Sequence, residues 1–409
     1  MNEPSLLDRF ARSMVLKRLN GIRHGKLTLI ENGAENTFGS ETSDFPQSAT
    51  LEITDPRCFA EIAFGGSIGA GEAFMQGYWH SDDLVALVRI LLRNRDVLEG
   101  MDSGTARFTR PVQKVLHWLN RNTRKGSRRN IAAHYDLGND FYSLWLDQTM
   151  MYSSAFFESA DASLRDASVA KLDRICRKLD LQPGDKVVEI GTGWGGFAIH
   201  AARNYGCHVT TTTISRQQHD YAEERIRREG LQDRITLLFD DYRDLQGEYD
   251  KLVSIEMIEA VGYEFHDTYF RKCAELLKPD GQMLLQAITI DDRRYESYKK
   301  GVDFIKRYIF PGGCLTSVTA MTATLTRVSD MRVFHIEDIG PHYAKTLKRW
   351  HDRFMAQIDE VGRLGYSETF QRMWRFYLNY CEGAFREHAI GDVQMLMVKP
   401  QARPETIRL

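Results

Sequence analysis

The chain has 409 residues, 43% hydrophobic and 27% charged, with a formal net charge of −2. That length suits two domains, and that composition excludes a disordered or fibrous chain. No apolar run is long enough to cross a bilayer, no secretory leader is recognisable, and the dispersed cysteines, including Cys58, Cys176 and Cys381, lack the CxxC pairing of a zinc or redox centre; a cytoplasmic protein, soluble or peripheral at the membrane, is expected.

Ser5 to Leu19 sets Leu7, Phe10 and Met14 at helical spacing, with Arg9, Arg12, Lys17 and Arg18 between them. This predicts an amphipathic helix. Lys26–Glu31 and Ala49–Thr54 read as strands. The run from Gly65 to Gly71 predicts a glycine-rich turn that feeds a short helix through Phe74. Asp83 to Asn94 predicts a further helix, with Leu84, Leu87, Val88 and Leu91 on one side. These elements form an expected first, α+β domain over residues 1–100.

Residues 101–130 have another character. Between Asp102 and Asp136 there is no acidic residue, while Arg107, Arg110, Lys114, Arg121, Arg124, Lys125, Arg128 and Arg129 interleave with apolar positions and Trp118. A basic amphipathic segment with an interfacial tryptophan suits anionic lipid head groups. Nothing else in the chain suggests nucleic-acid recognition, so a solvated linker is the remaining alternative.

Over residues 131–409 the pattern alternates. Lys186–Ile190, His208–Thr213, Ile235–Leu238, Lys251–Ile255 and Met283–Ile288 read as buried strands. Phe197–Asn204, Arg216–Glu229 and Asp267–Leu277 read as the helices between them. This is the signature of an α/β fold with a parallel sheet. Ala344–Val361 predicts a long helix and Gly391–Val398 a last strand.

The first of these strands runs into Gly191-Thr192-Gly193-Trp194-Gly195-Gly196 and then a helix. Such a loop lets a ligand approach the backbone closely. A dinucleotide site also wants an acid at the end of the next strand, where this chain has Thr210 to Thr213. Glu189 before the loop, and Asp240-Asp241-Tyr242 after the third strand, instead resemble the motifs of class I S-adenosylmethionine methyltransferases.

Several strings then carry a resemblance. They are His134 to Phe141 (HYDLGNDF), Met151 to Phe157 (MYSSAFF), Glu189 to Gly196, Tyr308 to Gly313 (YIFPGG) and Tyr380 to Phe385 (YCEGAF). In this order they resemble the cyclopropane-fatty-acid and mycolic acid cyclopropane synthase family, from about His134 to Lys399. The resemblance implies a class I S-adenosylmethionine-dependent methyltransferase sheet. It implies methylene transfer to a cis double bond of a phospholipid acyl chain, at a bilayer with unsaturated chains, and leaves a homodimer open. Cofactor contacts implied in this way are Tyr152, Ser153, Glu189, Gly191, Thr192, Gly193, Trp194, Gly195, Thr213, Ser215, Gln218, Asp241 and Tyr242; Ser215 and Gln218 read equally as a helix cap and a surface residue. The family also implies a bound bicarbonate as base, held by Glu259, Tyr343, Gln286 and backbone groups near Ser154 and Ile288. Cys381 matches a cysteine often given an active-site role, although the chemistry needs no thiol. Phe304, Tyr308 and Phe310 offer aromatic faces to a carbocation, with ordinary aromatic core as the alternative. Ser154 and Gln286 stand where better-known members carry cysteine and histidine. The change to glutamine leaves the outcome, a ring or a methyl or methylene branch, open. A small-molecule methyltransferase and a lipid binder without catalysis are the remaining rivals.

Overall fold

The computed structural model describes residues 6–97, 137–404 and 407. The basic segment, with Trp118 and Arg124 to Arg129, lies outside them. Among the described residues the chain forms two compact units. The first takes 6–97, 301–309 and 347–389, and the second takes 137–300, 310–346 and 390–404 with 407. The expected boundary after residue 130 is therefore incomplete, because two later segments return to the first unit.

In the first unit, strands β1 (Gly25–Glu31), β2 (Ala34–Ser40), β3 (Ser48–Ile53) and β4 (Trp79–Ser81) form a sheet in the order β2-β1-β3-β4. The helix Leu6–Leu19 buries Ala11, Val15 and Leu19. Asp83 caps the helix Leu84–Arg93 by accepting the Ala86 N–H at 2.8 Å. Asn94, 6% exposed, accepts the Arg23 and His24 N–H groups at 2.7 and 3.1 Å.

The glycine run bends the chain as expected, at Gly66, where φ is 60° and ψ is −140°, between two helical stretches of Arg57–Met75. Gly69 and Gly71 serve close packing, while a Cβ on Gly65 would meet nothing within 4 Å. A Cβ on Gly69 would strike the Glu61 carbonyl oxygen, and one on Gly71 would strike the Phe304 ring. The kink sets Gly69 against a residue eight positions earlier, so the missing side chains serve both the bend and the contact. Phe304 itself is 2% exposed and packs on Phe376 at 4.8 Å and Tyr308 at 5.2 Å.

The second unit holds a seven-stranded sheet: β5 (Lys186–Ile190), β6 (His208–Thr212), β7 (Ile235–Leu238), β8 (Tyr249–Ile255), β9 (Leu277–Ile290), β10 (Arg332–Asp338) and β11 (Ile390–Val398). The order is β10-β11-β9-β8-β5-β6-β7. Strands β5 to β9 pair in parallel, while β11 runs antiparallel to β9 and to β10. Central strands buried on both faces are mostly apolar, as β5 shows with Val187, Val188 and Ile190 at 0–2% exposure, Glu189 being the buried exception. The predicted helix over 344–361 begins earlier, at Gly340, and breaks at Gln357 into Gly340–Ala356 and Ile358–Arg363.

Replacing Gly69 with Ala should lower stability by about 1–3 kcal/mol through the clash with the Glu61 carbonyl, although Ala is the better helix former by about 1 kcal/mol. The urea midpoint of unfolding measures this, and a raised midpoint would show that the kink relaxes.

Candidate active site

The glycine loop sits at the carboxyl end of β5, in the middle of the sheet. Gly191, Gly193 and Gly195 have φ of 106°, 52° and 84°, a region that side chains disfavour. A Cβ on Gly193 would meet nothing within 4 Å, so open space lies over the loop. The loop is tied to β6 by the Gly191 and Thr192 N–H groups, both donating to the Thr212 carbonyl.

One side of this loop is an aromatic wall. Trp194 donates its Nε1–H to Asn139 Oδ1 at 2.7 Å and packs on Tyr142 at 5.0 Å. Tyr152 lies 5.5 Å from Tyr142, 5.4 Å from Trp145 and 6.2 Å from Phe310. Electron-rich faces of this kind favour a cationic ligand such as a sulfonium. Of the three expected channel aromatics only Phe310 belongs here. Phe304 is core of the first unit, and Tyr308 there bonds Glu72 through its hydroxyl.

The remaining cofactor candidates occupy the strand ends. Thr213 Oγ1 donates to Gln218 Oε1 at 3.0 Å and accepts the Ser215 N–H at 3.1 Å. Ser215 caps the helix Arg216–Arg228 by accepting the Gln218 N–H, so its cap reading holds; Gln218, 5% exposed, is no surface residue. Asp241 accepts two bonds from Arg243, at 2.7 and 2.6 Å. Tyr242 packs edge-on against Tyr269 at 5.5 Å. Glu189 points into the sheet, accepting from Thr211 Oγ1 at 2.6 Å. Burial pushes its pKa up to about 8, so it braces the loop from behind.

The sharpest geometry lies at the carboxyl end of β8. There the backbone N–H of Ser154 donates to Glu256 Oε1 at 2.8 Å, Gln286 Nε2 donates to the same oxygen at 2.8 Å, and the Tyr343 hydroxyl donates to Oε2 at 2.7 Å. Three of the five groups expected to hold a bicarbonate therefore serve one carboxylate of the chain itself. Glu259 is bonded separately, although it lies close enough for Glu256 to repel its charge. It accepts only the Ile288 N–H, at 2.5 Å, among the expected partners, and its Oε2 is buried with no hydrogen-bond partner. A bicarbonate seated among the same donors would set two anions at contact distance in a poorly solvated site. The residues present do not fit that group.

Sequence reasoning missed Glu256, three residues before the glutamate it chose, and missed what surrounds it. Gln286 Nε2 also donates to Asp392 Oδ2 at 3.0 Å, and its Oε1 accepts from Gln394 at 3.0 Å. Gln394 in turn accepts from Lys178 Nζ at 2.8 Å. Because lysine only donates, this relay leaves the Gln286 amide one orientation, nitrogen toward Glu256. Lys171, fully buried, donates to Ser153 Oγ at 2.7 Å. Burial pulls its pKa down to about 8 against the attraction of Glu256, Asp392, Asp147 and Glu189. Burial raises the carboxyl pKa values of Glu256, Glu259 and Asp392, with Glu259 pushed to about 8 and Asp392 further by the charges of Glu256 and Glu259. Glu256, with three donors, is thus the member that ionises first. The signal available in the sequence was only the pair Glu256 and Glu259 behind an apolar strand.

Cys381 lies in the first unit, on the helix Glu368–Arg386. Burial and Asp303 push its thiol pKa up, which keeps it protonated and unreactive. Among the described residues no cluster of His, Cys, Asp and Glu could hold a metal.

A mostly parallel seven-stranded sheet with its glycine loop at β5 defines a class I S-adenosylmethionine-dependent methyltransferase. A solved mycolic acid cyclopropane synthase complexed with SAH and CTAB shares it, with a TM-score of 0.62 and 32% identity, covering 66% of this chain and 98% of that one. The chain belongs to the mycolic acid cyclopropane synthetase family, which matches residues 122–395. A tuberculostearic acid methyltransferase of Mycobacterium tuberculosis is 36% identical over 373 residues, covering 87% of this chain and 84% of its own length. A cyclopropane-fatty-acyl-phospholipid synthase of Escherichia coli is 38% identical over 353 residues, covering 86% and 87% respectively. The protein is an S-adenosylmethionine-dependent methyltransferase of this family.

The raised pKa of Glu189 carries a pH signature. A carboxyl that titrates near 8 when folded and near 4.5 when unfolded stabilises the fold fully below pH 4.5. That contribution is lost as pH rises toward 8. Relative to Glu189→Gln, the native protein should therefore lose stability between pH 5 and 8. Parallel urea midpoints for the two proteins across this range would refute the assignment.

Proposed function

We propose that this protein transfers a methylene unit from S-adenosylmethionine across a cis double bond of a phospholipid acyl chain, forming a cyclopropane ring. The observation that carries the reading is the pairing, at neighbouring strand ends, of a glycine loop under an aromatic wall with an ionisable carboxylate held by three donors. A methyl transfer to an alkene needs both: a pocket for the sulfonium and a base for the proton that follows. The cofactor supplies an electrophilic methyl group. Gly191, Gly193 and the loop between them admit its amino-acid part, Tyr152 and Trp194 face its sulfonium region, and the segments around Thr213 and Asp241 border the adenosine. The expected bicarbonate has no part in this reading, since its donors hold Glu256. Support for a lipid substrate comes from the relatives, whose names describe fatty-acyl and phospholipid modification.

The name of the tuberculostearic acid relative favours a second reading, a methyl or methylene branch on the same kind of chain. The ring and the methylene branch each add one carbon and remove a proton from the transferred methyl, whereas a saturated methyl branch further needs a hydride from a separate reductant. Incubation with S-adenosylmethionine and liposomes of monounsaturated phospholipid should yield ring signals by NMR at the expense of the alkene. Branch signals would replace ring closure by the second reading. Unmodified chains, with cofactor binding confirmed, would remove the lipid substrate.

Access to a bilayer is proposed through the helix Leu6–Leu19 and the basic segment that follows the first unit, at the cytoplasmic membrane face. Leu6, Leu7 and Phe10 are 80%, 55% and 60% exposed, beside Arg9, Arg12, Lys17 and Arg18. Apolar side chains flanked by cations suit an anionic interface. No helix among the described residues is long and apolar enough to cross a membrane. Glutamate at all three apolar positions, or charge reversal at Arg124, Lys125, Arg128 and Arg129, should each weaken sedimentation with anionic liposomes at least several-fold. Unchanged binding in both variants would refute this face.

A further inference from the structure

Glu256 occupies an unusual backbone position. Its φ is 47°, in the left-handed region that a residue with a side chain adopts only at a cost. The conformation is held by the Glu256 N–H, which donates to the Gln286 carbonyl at 2.8 Å. What the chain gains for this strain is direction. The turn after β8 aims the carboxylate at Ser154, Gln286 and Tyr343, which come from three separate elements. Glu256 nonetheless remains partly accessible, whereas Gln286, Asp392, Ser154 and Lys171 are fully buried. Oε1 takes two of the three donors and Oε2 only the Tyr343 hydroxyl, with the Asp392 carboxyl also within hydrogen-bond reach of this carboxylate.

The geometry points to Glu256 as a built-in base, in place of a separately bound anion, for the proton that leaves the transferred methyl. This rests on the function proposed above. In the step, the alkene has taken the methyl and a neighbouring chain carbon is cationic. One methyl C–H bond breaks, its proton passes to the Glu256 carboxylate, and its electron pair forms the new bond to the cationic carbon. Closure on that carbon gives the ring, and formation of a double bond to the methyl carbon gives a methylene branch. The proton returns to solvent before the next turnover, so no co-reactant is consumed. The groups facing Glu256 divide the labour. Tyr343, Gln286 and the Ser154 N–H orient it, Lys171 offsets its charge, and Glu259 and Asp392 stay protonated beside it, because their charges would repel its own.

The same backbone strain supplies a well-behaved test. Glycine is at ease at φ of 47°, so Glu256→Gly relieves the backbone strain, which offsets part of the loss of three hydrogen bonds, while emptying the carboxylate's place. Native protein, Glu256→Gln and Glu256→Gly are assayed with S-adenosylmethionine and monounsaturated phospholipid liposomes, in carbon dioxide-depleted buffer and again with added bicarbonate. Native protein is expected to form the same product at the same rate in both. Both variants should lose at least about 100-fold in turnover, the usual worth of a positioned base, with cofactor affinity kept within about threefold. Bicarbonate should restore Glu256→Gly but not Glu256→Gln, whose side chain still fills the place. Three results would overturn the inference: native activity that disappears without bicarbonate, a Glu256→Gln variant of near-native rate, or a Glu256→Gly variant that no bicarbonate concentration rescues. In each of these the native protein still modifies acyl chains, so the proposed function survives. Native protein that modifies no chain in either buffer defeats that function, and the inference with it.

Discussion

The second unit is organised around the cost of placing ionised groups away from water. Lys171, Glu189, Glu256, Glu259 and Asp392 are drawn together at one end of a sheet. Not all of them can be charged, because each unpaired buried charge would cost several kcal/mol. The arrangement resolves this by giving one carboxylate three donors and leaving its neighbours to hold protons. Strand β9, strand β11, the segment around Ser154, the helix Leu164–Lys178 and the helix Gly340–Ala356 each contribute a group. Their relative placement is therefore set by charge as much as by packing.

Orientation inside this cluster comes from a relay that ends on a cation. Glu337 bonds Lys178 at 2.6 Å, Lys178 bonds Gln394, Gln394 bonds Gln286, and Gln286 bonds Glu256. Amide side chains alone could point either way round. A donor-only lysine at one end removes that freedom. The register places Gln286 opposite Gln394 on β11 and opposite Ile255 on β8. Gln286 thus donates to Glu256 without itself titrating.

Much of the α/β unit was legible. Buried parallel strands are continuous apolar runs, so Lys186–Ile190 and Ile235–Leu238 could be bounded to the residue. The glycine loop was legible because backbone geometry demands glycine at particular positions. Strand β10 was not, for a physical reason. It is an edge strand with none of its residues buried, and lacks the apolar run of the central strands. The glycine run before Phe74 was legible as a bend, which falls at Gly66, but not as the close contact that Gly69 and Gly71 make. Phe304 and Phe310 look alike in sequence, six residues apart, yet one is core in the first unit and the other faces Tyr152 in the second.

By itself the sequence determined the class of fold, the cofactor loop and the family, because each rests on local periodicity or on a short string whose chemistry is fixed by backbone geometry. Only the tertiary structure decided which glutamate receives Ser154, Gln286 and Tyr343. Those donors lie 102, 30 and 87 residues away along the chain. Spacing in sequence carries no information about such a meeting. It is created when strand register, a left-handed turn and a helix start bring three hydrogen-bond donors to one carboxylate.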